Sequence, residues 1–475
     1  MKVFFIIPPP VSYIDAYAYG AADKSNVPRI WLGLLYVAAA LRKKLGIEPR
    51  IIDAHAEGLS LGDIEHIIAE EKPDLVGFSV LTFNLLNCIA VTEGIKKASS
   101  STIVCFGGWH PTLYPMETMM LGFVDYVVIG EGEETFCELV NVLGKKRVPL
   151  ESELLSINGI GFLNGDNVVK ITPSRPVEKN LDTLPFPAYD LIDLKKYSNI
   201  LATTSDSVAI MTSRGCPHGC SFCDIRKSRY RFRSPDNVMV EILYWYNAGV
   251  REFYIQDDNF TINRNRAIQL CRLIIDSGLE VKYKISSRVD HLDDELLNYL
   301  KKSGCYRINF GVESGSQKVL DYLQKGITLP QIEQAFLLAK KYGIDTFAYV
   351  MIGCPDETDK DLEQTVQLIR RIKPDHLHCS ICTPMPETYL YRKLLADNLI
   401  EKDYWRDFAA SPTPEFKTSF FNQRFSDNEL RAMQNKIQKK FYMQPRVIVK
   451  ELMSIRDFGV VFKKARLAMK VLFDY

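Results

Sequence analysis

The 475-residue chain has almost no net charge: 59 lysines and arginines stand against 58 aspartates and glutamates. Without a global basic field the chain does not read as a dedicated nucleic-acid binder, though local basic patches remain open. Long apolar runs are missing too. The longest early one, residues 30–41, ends at Arg42-Lys43-Lys44, short of the roughly 20 residues a membrane-crossing helix needs. It is expected to be a buried core helix. The opening MKVFFIIPPP carries one lysine and no signal-peptide cleavage pattern. Repeats and low-complexity tracts are lacking as well. Eleven cysteines, an odd number, suit thiols or metal ligands better than a disulfide framework, and the expected compartment is the cytoplasm. What is present is a 47% hydrophobic, 25% charged composition, enough to build the cores of two or three domains.

Through residue 150, apolar runs alternate with helix-like stretches. Strands are expected at residues 2–7, 50–53, 74–81, 102–107 and 126–129, and helices at 31–44, 62–71, 84–98 and 134–143. This alternation indicates an α/β domain with a doubly wound parallel sheet, which binds ligands at the carboxyl ends of its strands. Residues 151–204, with Asn164-Gly165-Asp166-Asn167 and Leu184-Pro185-Phe186-Pro187, read as a hairpin and linker. Six strand–helix units occupy residues 205–390 and suit a partial (β/α)6 barrel rather than a closed eight-unit one. Residues 391–475 are expected to be helical.

The sharpest local signal is the run from Thr212 to Cys223. Cys216, Cys220 and Cys223 stand at C-x3-C-x2-C with glycines between them. Soft thiolates in this spacing favour an iron–sulfur cluster, with one iron left open, or a zinc knuckle that takes His218 as fourth ligand. The loop follows the first barrel strand directly and has an aromatic, Phe222, ahead of its last cysteine. In this it resembles the radical S-adenosylmethionine (SAM) superfamily, over about residues 205–390. The resemblance implies that Cys216, Cys220 and Cys223 bind a [4Fe–4S] cluster. SAM would chelate the open iron and be cleaved by one electron to a 5′-deoxyadenosyl radical. It also implies SAM contacts at Phe222, Asp257, Arg288, Glu313, Ile352 and Gly353.

Relatives more often carry glycine where this chain has Glu387, which makes Glu387 a candidate substrate contact. Arg226, in a basic run with Lys227, Arg229, Arg231 and Arg233, is another; the alternative is ion pairing to Asp257, Asp258 or the linker. Cys379 and Cys382 are three apart on an expected strand and so face opposite sides; they read as core cysteines.

In the N-terminal region, Asp53-Ala54-His55-Ala56-Glu57-Gly58 matches D-x-H-x-x-G, Ser79-Val80-Leu81 matches S-x-L and Gly107-Gly108 matches G-G. Together these resemble a cobalamin fingerprint. In methionine-synthase-like proteins, however, the histidine loop follows the first strand, whereas Asp53 follows the second, so His55 is not expected beneath the cobalt. The remainder resembles the Rossmann-like N-terminal domain of cobalamin-binding radical SAM proteins. It implies cofactor contacts from Pro9, Ser79, Leu81, Thr82, Gly107, Gly108, Trp109, Glu131 and Gly132, the glycines admitting close backbone approach. His110, His376 and His378 are expected to be structural.

The resemblance implies an enzyme that methylates an unactivated carbon of a small-molecule or lipid-like substrate through methylcobalamin. An external flavodoxin- or ferredoxin-type protein would supply electrons, and no nucleic acid is expected as a partner. Radical cyclisation, oxidation or rearrangement without methyl transfer is the second reading. A cobalamin-binding sensor or carrier with a degenerate barrel is the third, and the intact cysteine triplet weighs against it. Residues 446–475 hold seven Lys/Arg against three Asp/Glu, with apolar residues at helical spacing. They are expected to cap the open barrel, the alternative being a peripheral membrane contact.

Overall fold

A computed structural model of the protein describes residues 1–11, 28–197, 207–418 and 420–453. Most of the basic tail, residues 454–475, lies outside the described residues.

The first sheet begins with five parallel strands: β1 (Val3–Ile7), β2 (Arg50–Asp53), β3 (Leu75–Ser79), β4 (Ile103–Gly107) and β5 (Tyr126–Val128). Their spatial order is β2-β1-β3-β4-β5. Each strand is apolar on both faces because helices cover both. Val3, Phe5 and Ile7 enter one core and Phe4 and Ile6 the other. The expected hairpin exists but does not stand apart as linker. β6 (Ile160–Leu163) pairs antiparallel with β5, and β7 (Val169–Ile171) with β6, extending the sheet to seven strands. The unpaired edge of β5 is thereby closed.

The second sheet starts at β8 (Ser207–Ile210). A short antiparallel pair, β9 (Ser213–Arg214) and β10 (Arg231–Phe232), brackets the cysteine loop. β11 (Glu252–Ile255), β12 (Lys282–Ser287), β13 (Cys305–Glu313), β14 (Asp345–Ile352) and β15 (His376–Ile381) follow β8 in chain order, all parallel. Six units make an open barrel, as expected. Phe253, Ile285, Ile308, Val350 and Leu377 face the helical layer, leaving Tyr254, Lys284, Arg307, Tyr349 and His378 on the inner face. Cys379 and Cys382 belong to different cores, as their spacing requires.

The open side at β15 is covered by the helix Asp427–Tyr442, whose Gln434 amide and Tyr442 hydroxyl each donate 2.8 Å hydrogen bonds to the carbonyls of Cys379 and Leu377. Capping is thus already supplied ahead of the tail. At the tail's start, in the helix Pro445–Met453, Lys450 joins Asp345 and Asp375. Among the described residues no helix is long and apolar enough to cross a membrane.

Two contacts lock the first sheet to the barrel. Trp405, Phe408 and Tyr391 from the C-terminal helices share a core with Phe4 and Val76. The Glu131 carboxylate, just past β5, takes both Nη atoms of Arg231 on β10, and Arg214 on β9 reaches Glu131 and Glu133. Arg231 is 7% exposed and Glu131 28%. Hydrogen bonds to a charged group contribute about 1.5–3 kcal/mol each when an end is removed, so Glu131→Ala is expected to lower stability by about 2 kcal/mol in urea denaturation. Combining it with Arg231→Met should recover part of the loss, because a buried guanidinium is then no longer left short of its partner.

Candidate cofactor and active site

The cysteine loop is built around Asp257, the second residue after β11. Its carboxylate accepts hydrogen bonds from the backbone of Thr212 (2.6 Å) and Ser213 (2.9 Å) and from both of their hydroxyls. Asp258 accepts from the Gly215 amide at 3.1 Å. Gly215 has φ +85°, and a Cβ there would collide with the Arg229 carbonyl on the returning leg. Glycine is therefore required where the loop closes. Ser228 receives the Cys216 amide at 2.8 Å and His218 O receives the Lys227 amide at 2.8 Å. Cys220 is buried, Cys216 and Cys223 are half-buried, and all three are free thiols.

Cations stand beside these sulfurs. Asp290 holds Arg288 in a two-pronged pair at 2.9 Å, which places Arg288 Nη1 3.8 Å from Cys220 Sγ. Lys325, paired to Glu313 at 2.7 Å, lies 5.8 Å from the centre of the Phe222 ring. The pair lies over Gly311 of β13, where a Cβ would come within 2.7 Å of both side chains. Burial raises the Cys216 thiol, and burial with Asp224 pushes Cys223 up to about 12. Binding a soft metal centre would replace those protons, and Arg288 and Lys325 would offset the thiolate charge. Among the described residues no three His, Cys, Asp or Glu side chains converge to hold a single ion. A four-iron cluster takes one thiolate on each of three separate irons and leaves the fourth iron open, so the three cysteines of the loop fit its donor set.

Several residues serve other ends than the sequence implies. The Asp257 carboxylate is filled by its four donors and braces the loop rather than reaching a ligand. Arg226 donates to Gly219 O (2.8 Å) and Gln324 (2.5 Å) and lies over the Tyr389 ring, bracing the loop from outside. Arg231 pairs with Glu131 and Arg233 with Glu241, not with Asp257 or Asp258. Glu387 has φ +58° and is tied to Arg392 (Nε 2.9 Å) and Arg406. A positive φ of this kind is one that glycine adopts more readily than glutamate.

At the end of β14, Ile352 is buried and Gly353 turns with φ +75°, leaving no space for a Cβ against Leu430 (2.9 Å). Glu357, which sequence reasoning missed, accepts the amides of Gly353 (2.5 Å) and Cys354 (3.1 Å). It is wholly buried, and burial raises it to about 7. The available signal was a carboxylate four residues past a turn glycine.

On the first sheet, Pro9, Ser79, Leu81, Gly107 and Trp109 follow or end β1, β3 and β4 along one edge, beside the reversal of strand order between β1 and β3. Gly108, at φ +100°, is needed for the chain itself, because a Cβ would lie 2.8–2.9 Å from the Val80 backbone. At Gly107 the nearest atom would be 3.6 Å away, an ordinary contact. Thr82 is turned inward to His110 Nδ1 (3.1 Å). Burial pushes His110 down to about 3, so it is a neutral core residue. Burial acts to raise Glu131, but Arg231 and Arg214 hold it below the usual carboxylate range. Its carboxylate therefore faces the barrel. Gly132 opens the helix Gly132–Lys145. The D-x-H-x-x-G match is a one-turn helix, Ala54–Glu57: Asp53 caps its start through the Ala56 amide and Gly58, at φ +70°, ends it. Tyr197 also donates to Asp53 at 2.5 Å. The motif's Asp and Gly thus have capping roles.

Residues 210–369 match the Radical SAM superfamily and residues 22–140 the B12 binding domain. A protein of Pyrococcus horikoshii named as an uncharacterized methyltransferase is 33% identical over 474 residues, covering 98% of this chain and 97% of that protein. The anaerobic magnesium-protoporphyrin IX monomethyl ester cyclase of Rubrivivax gelatinosus is 30% identical over 401 residues, 83% of this chain and 70% of that one. Among solved structures, the radical SAM methyltransferase TsrM from Kitasatospora setae shares the fold, with a TM-score of 0.67 at 19% identity over 84% of this chain and 76% of that chain.

Gly108→Ala is expected to destabilise the protein by more than 1 kcal/mol, since it combines a positive φ with a backbone collision, while Gly107→Ala stays within about 0.5 kcal/mol; thermal unfolding compares them. Glu357 holds its proton more tightly folded than unfolded, so its neutral form favours folding at pH 4. That contribution disappears as pH rises toward 7. Relative to wild type, Glu357→Gln should therefore gain about 3 kcal/mol between pH 4 and pH 8, at 1.36 kcal/mol per pKa unit, read as a pH series of urea midpoints.

Proposed function

The chain belongs to the radical SAM enzymes that carry a B12 binding domain, and from that membership we propose that it methylates an unactivated carbon of a small-molecule substrate. Its cofactors are those of the family: a [4Fe–4S] cluster, SAM and cobalamin. The observation that carries the reading is the junction. The strands bracketing the cysteine loop are tied through Arg214 and Arg231 to Glu131 and Glu133, at the carboxyl edge of the first sheet. A carbon radical is short-lived, so a methyl donor has to be positioned against it beforehand.

When bound, the cluster and SAM supply a 5′-deoxyadenosyl radical and cobalamin supplies the methyl group. Cys216, Cys220 and Cys223 would hold the cluster, with Arg288 and Lys325 balancing its charge. Phe222, Glu313, Ile352 and Gly353 would line the SAM site, Glu357 fixing the turn that Gly353 makes. Pro9, Ser79, Leu81, Gly107 and Trp109 would line the cobalamin edge, without His55. An external protein reductant would deliver the electrons.

Identity to the cyclase of Rubrivivax gelatinosus favours a second reading, radical chemistry without methyl transfer. Anaerobic incubation with methyl-labelled SAM, reductant and substrate extracts separates the two. Label in product supports methylation; deoxyadenosine formed with an unlabelled, altered product supports the second reading. Cys220→Ala should lose most cluster iron and at least 100-fold of SAM cleavage, and retention of both would remove the assignment of the loop.

A further inference from the structure

The basic run that follows the cysteine loop divides in two once the chain is folded. Arg231 and Arg233 turn inward to Glu131 and Glu241. Arg226, Lys227 and Arg229 stay with the loop. Lys227 and Arg229 are exposed, and among the described residues neither side chain has a hydrogen bond or an ion pair. Arg226 donates to uncharged oxygens, those of Gly219 and Gln324, so no carboxylate neutralises it. The loop's own acids, Asp224 and Asp258, do not serve these cations: burial raises both, and no lysine or arginine holds either of them down.

The three cations lie against the outer side of the loop. The Lys227 amide donates to His218 O at 2.8 Å, and a Cβ on Gly219 would sit 3.4 Å from Lys227 Cε and 3.7 Å from Arg226 Nη2. The Arg229 carbonyl closes over Gly215. Gly215 and Gly219 directly precede Cys216 and Cys220, so no side chain from either comes between the cations and those cysteines. The barrel side of the loop has other occupants, Arg288 beside Cys220 and Lys325 by Phe222. Tyr389 widens the outer face: its ring, 41% exposed, lies 4.2 Å from the Arg226 guanidinium. Arginine and tyrosine are enriched where proteins dock.

We propose that Arg226, Lys227, Arg229 and Tyr389 form the docking face for an acidic protein that carries one electron at a time. The whole chain has a net charge of +1, so three uncompensated cations within residues 226–229 stand out as a local field. Such a field steers an oppositely charged partner and orients it on arrival. Redox encounters use small faces, below about 1,200 Å² in total, which suits a patch of this size. A phosphate backbone, the other macromolecular ligand of a basic face, is held by a longer track of cations than three. In the transfer the carrier loses one electron and the cluster gains it; no bond forms or breaks. The electron's destination rests on the radical SAM reading; the docking face itself does not.

The test is isothermal titration of the anaerobically reconstituted holoenzyme with a purified acidic flavodoxin, alongside stopped-flow oxidation of the flavodoxin hydroquinone. Lys227→Glu combined with Arg229→Glu should weaken binding about tenfold or more and slow flavin oxidation in step, and added salt should weaken the wild type far more than this variant. Lys302→Glu combined with Lys340→Glu makes the same change in net charge in the last turns of the helices Asp294–Lys302 and Leu329–Lys341. That remote pair should stay within about twofold of wild type, because exposed charges beyond a Debye length are screened. Photoreduction with neutral deazariboflavin bypasses the face, so SAM cleavage driven that way should be equal in wild type and the Lys227/Arg229 variant. Iron content and unfolding midpoint report on the integrity of each protein. Equal flavodoxin affinity in wild type and the Lys227/Arg229 variant, an equal loss in the remote pair, or tighter binding of single-stranded RNA than of flavodoxin would overturn the docking face. Wild-type holoenzyme that binds flavodoxin yet cleaves no SAM with either reductant would instead overturn the proposed function and leave the titration standing.

Discussion

The carboxylate of Asp257 gathers two amides and two hydroxyls from Thr212 and Ser213, and the cysteine loop is placed by that clasp. β8 ends at Ile210, so the chain would otherwise leave the barrel without a fixed direction. Four donors on one buried carboxylate set where β9 begins. β9 sets β10, and the loop between them carries the three cysteines. Each of those donors would cost about 1–3 kcal/mol if left unsatisfied in the interior, so the arrangement tolerates little displacement. A group that looks like a ligand for a cofactor thus acts instead as the anchor of the loop that would hold one.

The same loop anchors the rest of the molecule. Arg214 and Arg231 leave the two short strands in the direction of Glu131 and Glu133, so the placement of the cysteines and the docking of the first sheet are one set of contacts. Charge is layered along the barrel. Near the mouth, Arg288 and Lys325 each have an acidic partner, Asp290 and Glu313, and retain positive character toward Cys220. Further down the inner face, Lys284 meets the Tyr254 ring at 4.5 Å and Arg307 meets His376 Nε2 at 2.8 Å.

Much of this was legible from local sequence. Alternating apolar runs fixed both sheets because period and burial are properties of neighbours in the chain. The loop from Thr212 to Cys223 was legible because its chemistry lies within twelve residues. The strand count was the ground for not expecting His55 beneath the cobalt, and the capping roles of Asp53 and Gly58 within the same motif appeared only in the fold.

Partners far apart in the chain were not legible. Asp257 meets Thr212 across 45 residues and Arg231 meets Glu131 across 100. Neither pairing leaves a trace in local composition, so Asp257 and Glu131 read as ligand contacts, and the arginine run was left between a substrate contact and ion pairs to Asp257, Asp258 or the linker. The positive φ of Glu387 and the close approach of Gly108 to the Val80 backbone were hidden for a related reason: a backbone angle or a neighbouring strand exists only once the chain is folded. The sequence by itself determined which elements form and which residues carry soft-metal chemistry, because both depend on spacing along the chain. The tertiary structure alone decided which charges are spent on each other, as Arg231 is on Glu131 and Arg233 on Glu241, because that depends on which strand ends meet.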